Sequence, residues 1–353
     1  MKEIFLDDIE VRKDLYPFAL IRHVADIRIG ILTIREKWEK LLNNPITISS
    51  ENSQVSKNCI NVPANIIPSR KLASQLSILT DEFETALSDS QICKIIQYPW
   101  HIFQFNDWAL RQDFELLTVN RVSVVIPERV QAIEPKNIFI EEGAILSPCI
   151  LNASTGPIYI GKNTQVMEGA TIRGPFALCE GAVVKMGTRI YGATTIGPYS
   201  VVGGEIKNTV IFGYSNKAHD GYLGDSIIGE WCNLGAGTTN SNLKNNAGDV
   251  KVWNPFSGYW TNAGTKCGLL IGDYSRSSIN TSFNTGTVVG ICSNVFGEGL
   301  TPTFIPSFSW GCKPIAKYEF EKAIRDISNW KQLKGKSVTE EEIIQLRNIF
   351  NQS

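Results

Sequence analysis

The sequence predicts a mainly β protein: a parallel β-helix through the middle and late parts of the chain, preceded by an α/β domain and followed by helices. Three observations predict it. A branched aliphatic recurs every sixth residue over a long stretch, small residues and glycines recur between these positions, and the flanking segments lack that period.

The repeat runs Ile160, Val166, Ile172, Leu178, Val184, Ile190, Ile196, Val202. Eight successive apolar residues have odds of about 1 in 250 in an average chain, and restriction to Ile, Leu and Val lowers them further. Four places after each aliphatic stands a small residue (Thr164, Ala170, Ala182, Thr188, Thr194, Ser200), with Phe176 as the exception. A six-residue period does not match the helical period near 3.6; it suits a short strand and a tight corner, repeated. Each coil stacks on the next and buries a continuous narrow core. The phase breaks after Val202 and returns at Ile228 and Leu234, then at Ile271, Phe283, Val289 and Val295, with Ser277 in one inward slot. The polar, then aromatic stretch between Leu234 and Ile271 reads as a loop thrown out from the solenoid and packed back onto it. The hand of the helix comes from the resemblance of these repeats to hexapeptide-repeat proteins, which implies a left-handed parallel β-helix and its usual acyltransferase chemistry.

The expected organisation is therefore residues 1–125 as an α/β domain, 126–312 as the β-helix and 313–353 as a helical tail. In the first, Ile31, Ile34, Trp38 and Leu41 fit one face of a helix, and LLTVNRVSVVI suggests extended structure near the junction. In the tail, helical from residue 314, Phe320, Ala323, Ile324 and Ile327 share a face, and Thr339 with Glu342 forms a capping box that starts a last helix. The tail is expected to cover the solenoid end, as terminal repeats require.

Charge and composition narrow the function. The 34 basic and 35 acidic residues give a net charge of -1, which argues against a nucleic-acid binder. The start MKEIFLDDIEVR has no cationic segment leading into an apolar core, and no apolar run reaches the roughly 20 residues of a membrane helix. A soluble, cytoplasmic protein without membrane partners is expected. The 8 cysteines form no C-x-x-C pair and read as reduced, buried small residues. Of the 3 histidines, only His219 falls in the solenoid, so the zinc carbonic anhydrase version of this architecture lacks its ligands and no metal site is expected.

His219 lies in GYSNKAHDGYLGDSIIGEWCNLGAGTTNSN, where the phase breaks. This segment resembles the acetyltransferase half of the bifunctional glucosamine-1-phosphate acetyltransferase/N-acetylglucosamine-1-phosphate uridyltransferase family. The shared features are a His three residues before Tyr-Leu-Gly-Asp, then Asn-Leu-Gly-Ala-Gly-Thr, then a further Asn. The resemblance implies that His219 is the catalytic base and Tyr222 the tyrosine beside the reacting amine. It places Asn233 and Asn242 on substrate-contacting asparagines, and Glu205 and Lys207 on a Glu-x-Lys stretch that helps bind the sugar phosphate. The arginine that accompanies them in that family has no counterpart near residues 200–204. Over nearly its full length, through LYPFALIRHVADIRIGILTIREKW, GEWCNLGAGTTNSNLKNN and FIPSFSWG, the chain also resembles a group of bacterial proteins called sugar nucleotidyltransferases, or alternative forms of that bifunctional enzyme. The N-terminal start IFLDDIEVRKDLYPF departs from the glycine-rich loop that cradles nucleotide phosphates in pyrophosphorylases.

Each site residue has a plainer role open to it. His219 could be an ordinary surface or core histidine, Lys207 a solvated lysine, and Asn233 and Asn242 corner residues or an internal ladder; Glu205 is likewise open. Arg22, Arg28, Arg35 and Lys37 make either a phosphate site or a solvated charged face. The leading expectation is an acetyl- or acyl-CoA-dependent N-acyltransferase acting on an amino-sugar phosphate or sugar nucleotide, assembled as a homotrimer. The alternatives are a sugar-1-phosphate nucleotidyltransferase working through residues 1–125 with Mg2+ and a nucleoside triphosphate, and a non-catalytic solenoid that binds sugar nucleotides.

Overall fold

A computed structural model describes residues 3–49, 59–76, 89 and 91–352. The expected class is present: a parallel β-helix of the hexapeptide-repeat kind, an N-terminal α/β region and C-terminal helices. Three sheets of 6, 9 and 10 strands form the sides of the solenoid, and successive coils pair in parallel. All eight aliphatics of the six-residue series are buried, at 2% exposure or less, and belong to one continuous core with Leu223, Ile228, Ile271 and Val295. Such a stack loses its strength if a single large slot is emptied, because the surrounding coils cannot collapse into the gap.

The three sides have different surroundings. The nine-stranded face, from Ile138–Ile140 to Phe304–Ile305, is covered by the N-terminal region. Ala177, Cys179 and Ala193 pack against Ile31, Leu32 and Leu110, and Phe18 meets Phe212 at 5.6 Å between ring centroids. The six-stranded face, from Gln131–Ile133 to Tyr222–Gly224, carries polar side chains outward and is called the polar face below. The ten-stranded face is the open face; its outward positions include Ile145, Gln165, Val183, Val201, Asn216 and Asn233, all partly or fully exposed.

The solenoid does not pause after Val202, as the sequence pattern suggests; it shortens. On the open-to-polar side, strands Val183–Val184 and Arg189–Tyr191 are joined by four residues, 185–188. One coil later, Val201–Val202 and Glu205–Lys207 are joined by Gly203 and Gly204 alone. One more residue is lost at the next corner, since Tyr191 pairs with Lys207 but Thr195 with Val210, so Val202 stacks under Lys217 rather than under a residue eighteen places on, and the six-residue count slips while the coils continue. The excursion between Leu234 and Ile271 contains an antiparallel hairpin, Lys251–Asn254 with Tyr259–Asn262. Its contacts are shared: Trp253 approaches solenoid Phe304, while Phe256 meets N-terminal Tyr16 at 5.9 Å and the Asn254 amide donates to the Lys13 carbonyl.

The N-terminal region is built on the parallel strand Glu3–Asp7, flanked by Thr47–Ile48 and Cys59–Pro63. The helix Ile34–Leu42 buries Ile34 and Trp38 and begins with a capping box from Thr33 and Glu36; Ile31, expected on it, lies in the turn before it. The stretch expected to be extended near the junction is split. Its first three residues end the helix Asn106–Thr118, and only the part after it is non-helical, where the Val124 amide donates to the Ile140 carbonyl. The tail departs similarly: residues 316–317 form an antiparallel strand on Ser309–Trp310 at the end of the open face, and the helices are Phe320–Gln332 and Glu340–Gln352. The Thr339–Glu342 capping box is present in both directions, at 2.9 and 3.2 Å. Phe320, Ala323 and Ile327 pack on Trp231, Tyr274 and Phe308. Among the described residues no helix is long and apolar enough to cross a membrane.

Each of the four N-terminal cations has a carboxylate beside it. Arg22 reaches Asp273 of the solenoid at 2.6 Å, with Glu230 at 3.6 Å, and its guanidinium lies over the Phe212 ring. Arg35 pairs with Asp26, Arg28 faces Glu36 at 3.6 Å, and Lys37 is buried against Asp113. Asp113 also accepts from the amides of Ile31 and Leu32, in a turn where Gly30 has φ +71 and a Cβ would stand 2.5 Å from its carboxylate. The adjacent Asn106 joins the two parts of the chain: it accepts from the Gly30 amide at 2.7 Å and donates to Ala193 and Thr195 of the solenoid.

Removing one member of a buried pair leaves the other uncompensated in a poorly solvated place. Asp113→Ala is expected to destabilise the fold by roughly 3–5 kcal/mol, read as a lower thermal midpoint and earlier loss of the N-terminal region in urea.

Candidate functional site

The polar face brings together residues distant in sequence because coils stack in register. Arg189, Glu205 and Tyr222 occupy one column on three successive coils; Tyr191, Lys207 and Gly224 occupy the next. Adjacent parallel strands lie about 4.8 Å apart, so each column presents its side chains as neighbours. The Tyr191 phenol donates to the Glu205 carboxylate at 2.6 Å, and Arg189 approaches the same carboxylate at 3.7 Å. The Lys207 ammonium stands 5.9 Å from the centre of the Tyr191 ring. The bond to Glu205 holds the Tyr191 phenol up to about 12, so it stays protonated.

Tyr222 lies back over Gly224, where a Cβ would come within 2.1 Å of the phenol oxygen. Any larger residue at position 224 would expel the ring. Asn242 donates to the phenol oxygen at 3.1 Å and also to Asp225. Asp225, in turn, accepts from Asn208 at 2.7 Å. Burial first, then the Asp225 charge, raises the Tyr222 pKa, so at neutral pH the phenol keeps a proton to donate. Beside this group, Asn240 has its side chain bonded to both the amide and the carbonyl of Gly224 at 2.9 and 3.1 Å, and so extends the strand edge with a side chain.

His219 is exposed at the corner that leads from Asn216–Lys217 on the open face to Tyr222–Gly224 on the polar face. The other two histidines lie elsewhere: His23 is buried, with Nδ1 accepting from the Ala25 amide and Nε2 on Ser49, and the His101 ring lies tilted against Phe105 at 4.7 Å between centroids.

Of the six residues singled out from sequence, Glu205, Lys207, Tyr222 and Asn242 form one cluster, with His219 at its edge. Asn233 is on the open face instead, in register with Asn216 and Arg276, and its amide oxygen accepts from Asn216 at 3.4 Å. Sequence reading missed Arg189, which it sought near residues 200–204. The register signal for it is plain in retrospect: Arg189 is the residue stacked directly under Glu205. It also missed Asp225, which orients both Asn208 and Asn242, and Lys217, buried at an inward slot. Next to Asn242, a cleft of about 370 Å³ is lined by Ser241, Lys244, Asn245, Asn246, Asn284 and Thr285.

A cluster with two cations, two carboxylates, two phenols and three amides, beside an exposed imidazole, is suited to holding a polar small molecule. Residues 3–93 match a family described as sugar nucleotidyl transferase. A bifunctional protein GlmU of Methanococcus maripaludis is 26% identical over 281 residues, covering 77% of this chain and 61% of that protein. A bifunctional sugar-1-phosphate nucleotidylyltransferase/acetyltransferase of Sulfurisphaera tokodaii is 30% identical over 229 residues, 62% of this chain and 50% of that one. The chain thus spans between half and three-fifths of the length of these relatives. Among solved structures, a UDP-N-acetylglucosamine acyltransferase of Francisella novicida aligns over 64% of this chain and 76% of its own, with 16% identity and a TM-score of 0.32. The family match and the two bifunctional relatives bear out the resemblance read from the sequence, to sugar nucleotidyltransferases and the bifunctional enzymes.

Proposed function

We propose that this chain is an acyl-CoA-dependent N-acyltransferase acting on an amino-sugar phosphate or sugar nucleotide in cell-envelope sugar biosynthesis. The observation that carries the reading is the polar-face column of Arg189, Glu205 and Tyr222, flanked by Lys207 and Asn242, with His219 exposed at its edge. Arg189 and Lys207 offer two positive charges to a phosphate, and Glu205 and Asn242 offer hydrogen bonds to sugar hydroxyls.

In this reaction the sugar amine attacks the thioester carbonyl of acetyl-CoA. His219 takes the proton that the amine loses, and the carbonyl electrons move to oxygen, where a phenol or backbone N–H can stabilise them. Collapse of the tetrahedral intermediate expels the CoA thiolate, which takes the proton from the imidazolium. The exposure of His219 supports this reading over that of a non-catalytic solenoid.

The open face supports assembly as a homotrimer along the solenoid. It is the side that neither the N-terminal region nor polar site residues occupy, and it presents Ile145, Val183 and Val201. A neighbour packed there would bring Asn233 of one copy toward the corner region of another, which is how Asn233 could join a site from which it is separated in one chain. Closed three-fold symmetry also avoids open-ended association. The cytoplasmic location expected from the sequence is part of this reading.

The match of residues 3–93 favours a second reading, nucleotidyl transfer with Mg2+ and a nucleoside triphosphate. The end of the first strand speaks against it. Where a phosphate-cradling loop would leave amides free, Asp8 is buried and its carboxylate takes the Val24 amide at 3.0 Å, Arg12 at 2.9 Å and the Ser49 hydroxyl at 3.2 Å. The chain's own carboxylate thus holds the donors an anion would use.

In a thiol-release assay with acetyl-CoA and a panel of amino-sugar phosphates, His219→Ala is expected to keep the fold and lower turnover roughly 100- to 10,000-fold. Lys207→Ala should instead raise the Michaelis constant more than it lowers turnover, as loss of a uniform binding contact does. Wild-type turnover by His219→Ala would sink the assignment. Light scattering at micromolar concentration should give three times the 39.1 kDa chain mass; a monomer would refute the trimer. Calorimetry should show weak or no binding of nucleoside triphosphate with magnesium, and low-micromolar binding would restore the nucleotidyltransferase reading.

A further inference from the structure

The inward row of the open face runs Val166, Val184, Val202, then Lys217, then Leu234. Lysine stands in an aliphatic slot and is 1% exposed. Its ammonium donates to the Gly203 carbonyl at 3.2 Å and to the carbonyl of His219, two residues on. Its acceptors are carbonyls rather than carboxylates, so burial of the charge is only partly compensated, and a Met or Leu of similar volume would fill the slot at lower cost. A stacking role alone does not explain the residue.

The corner explains it better. Residues 218–221 turn the chain from the open to the polar face directly above Gly203–Gly204, a corner two residues shorter. The longer loop has to stand away from the shorter one beneath it, and His219 and Asp220 are the exposed residues of that loop. Its backbone is tightly seated. A Cβ on Gly203 would meet the Ala218 carbonyl at 2.4 Å, and one on Gly204 the His219 carbonyl at 2.9 Å. At the far end Gly221 has φ +121 and would drive a Cβ into the Thr238 carbonyl at 2.1 Å. Between these glycines, the bond from Lys217 is what draws the His219 carbonyl toward the solenoid interior.

We infer that Lys217 is a positioning residue for His219: its buried ammonium ties the His219 carbonyl to the coil and fixes the corner from which the imidazole acts. This rests on the acyltransferase reading of His219, to which it adds a residue that touches no substrate. The tie is stronger in the charged form, where both bonds to carbonyls are charge-assisted. Burial lowers the Lys217 pKa to about 8, against a weaker opposing effect of Asp220 on the same turn. The neighbouring slots, Val202 and Leu234, carry no charge. Loss of the proton above that pH weakens the tie, so wild-type turnover should fall on the alkaline side with an apparent pKa near 8.

The test is Lys217→Met, with Lys217→Gln as a second variant that keeps one donor. Lys217→Met should lower turnover at least tenfold with little change in the Michaelis constant, and its rate should lose the alkaline fall; Lys217→Gln should lie between it and wild type. The methionine variant should also be the more stable protein at pH 7. The lysine's folded pKa lies below its unfolded value, so the wild-type fold gains stability as pH rises from about 8 to 10.5, and the difference in thermal midpoint should shrink over that window. A crystal structure of Lys217→Met should show residues 218–221 displaced. Wild-type turnover with the alkaline fall retained, or an unmoved corner in that crystal structure, would overturn the inference. Failure of the acyltransferase reading is seen separately, as full turnover in His219→Ala, while the corner's position in Lys217→Met still decides whether the lysine holds it.

Discussion

The register between coils is the constraint on which everything else depends. Each coil contributes about one inward aliphatic per side, and stacking Val166, Val184 and Val202 without a gap forces the strands above and below into fixed pairing. A slip of one residue would turn the inward side chains outward, so the register is strongly specified. The site follows directly. Arg189, Glu205 and Tyr222 are sixteen and seventeen residues apart in sequence and become neighbours only because their coils cannot slide. No helix or flexible loop arranges this column, which leaves it on rigid elements, as a preorganised site requires.

Where coils depart from the common length, residues of the candidate site collect. Shortening at Gly203–Gly204 leaves the following corner to stand out, and it carries His219. The long excursion before Ile271 supplies Asn242, which reaches Tyr222 and Asp225, and the hairpin that binds Tyr16 and Lys13 of the N-terminal region. A rigid scaffold tolerates such insertions at corners because their ends stay pinned by neighbouring coils.

The N-terminal region is bound to the solenoid by specific, buried polar contacts as well as by packing. Arg22 meets Asp273, and burial lifts that carboxyl to about 6 despite the guanidinium beside it. Asn106 bonds Gly30 on one side and Thr195 on the other. Buried ion pairs contribute less to stability than to alignment, because each charge loses its hydration. Their placement here fixes one docking of the covered face.

The sequence by itself determined the six-residue period, the aliphatic core, the parallel β-helix with its flanking α/β and helical parts, the Thr339 capping box and, through local motif, Glu205, Lys207, His219, Tyr222 and Asn242 as candidates. These features are local or periodic, so neighbouring residues encode them. Tertiary structure alone decided what depends on coil length and docking. It placed Arg189 under Glu205, moved Asn233 to another face, and turned four N-terminal cations into ion pairs. It also set Tyr199, Tyr214, Trp231, Tyr274 and Phe308 in left-handed corners at φ between 53 and 60, positions where local preference favours Gly or Asn. Stacking at 4.3 Å between Tyr214 and Trp231, and cover from the C-terminal helices, outweigh that preference. Lys217 is the sharpest case: only the shortened coil below it brings its side chain into an inward slot of the core.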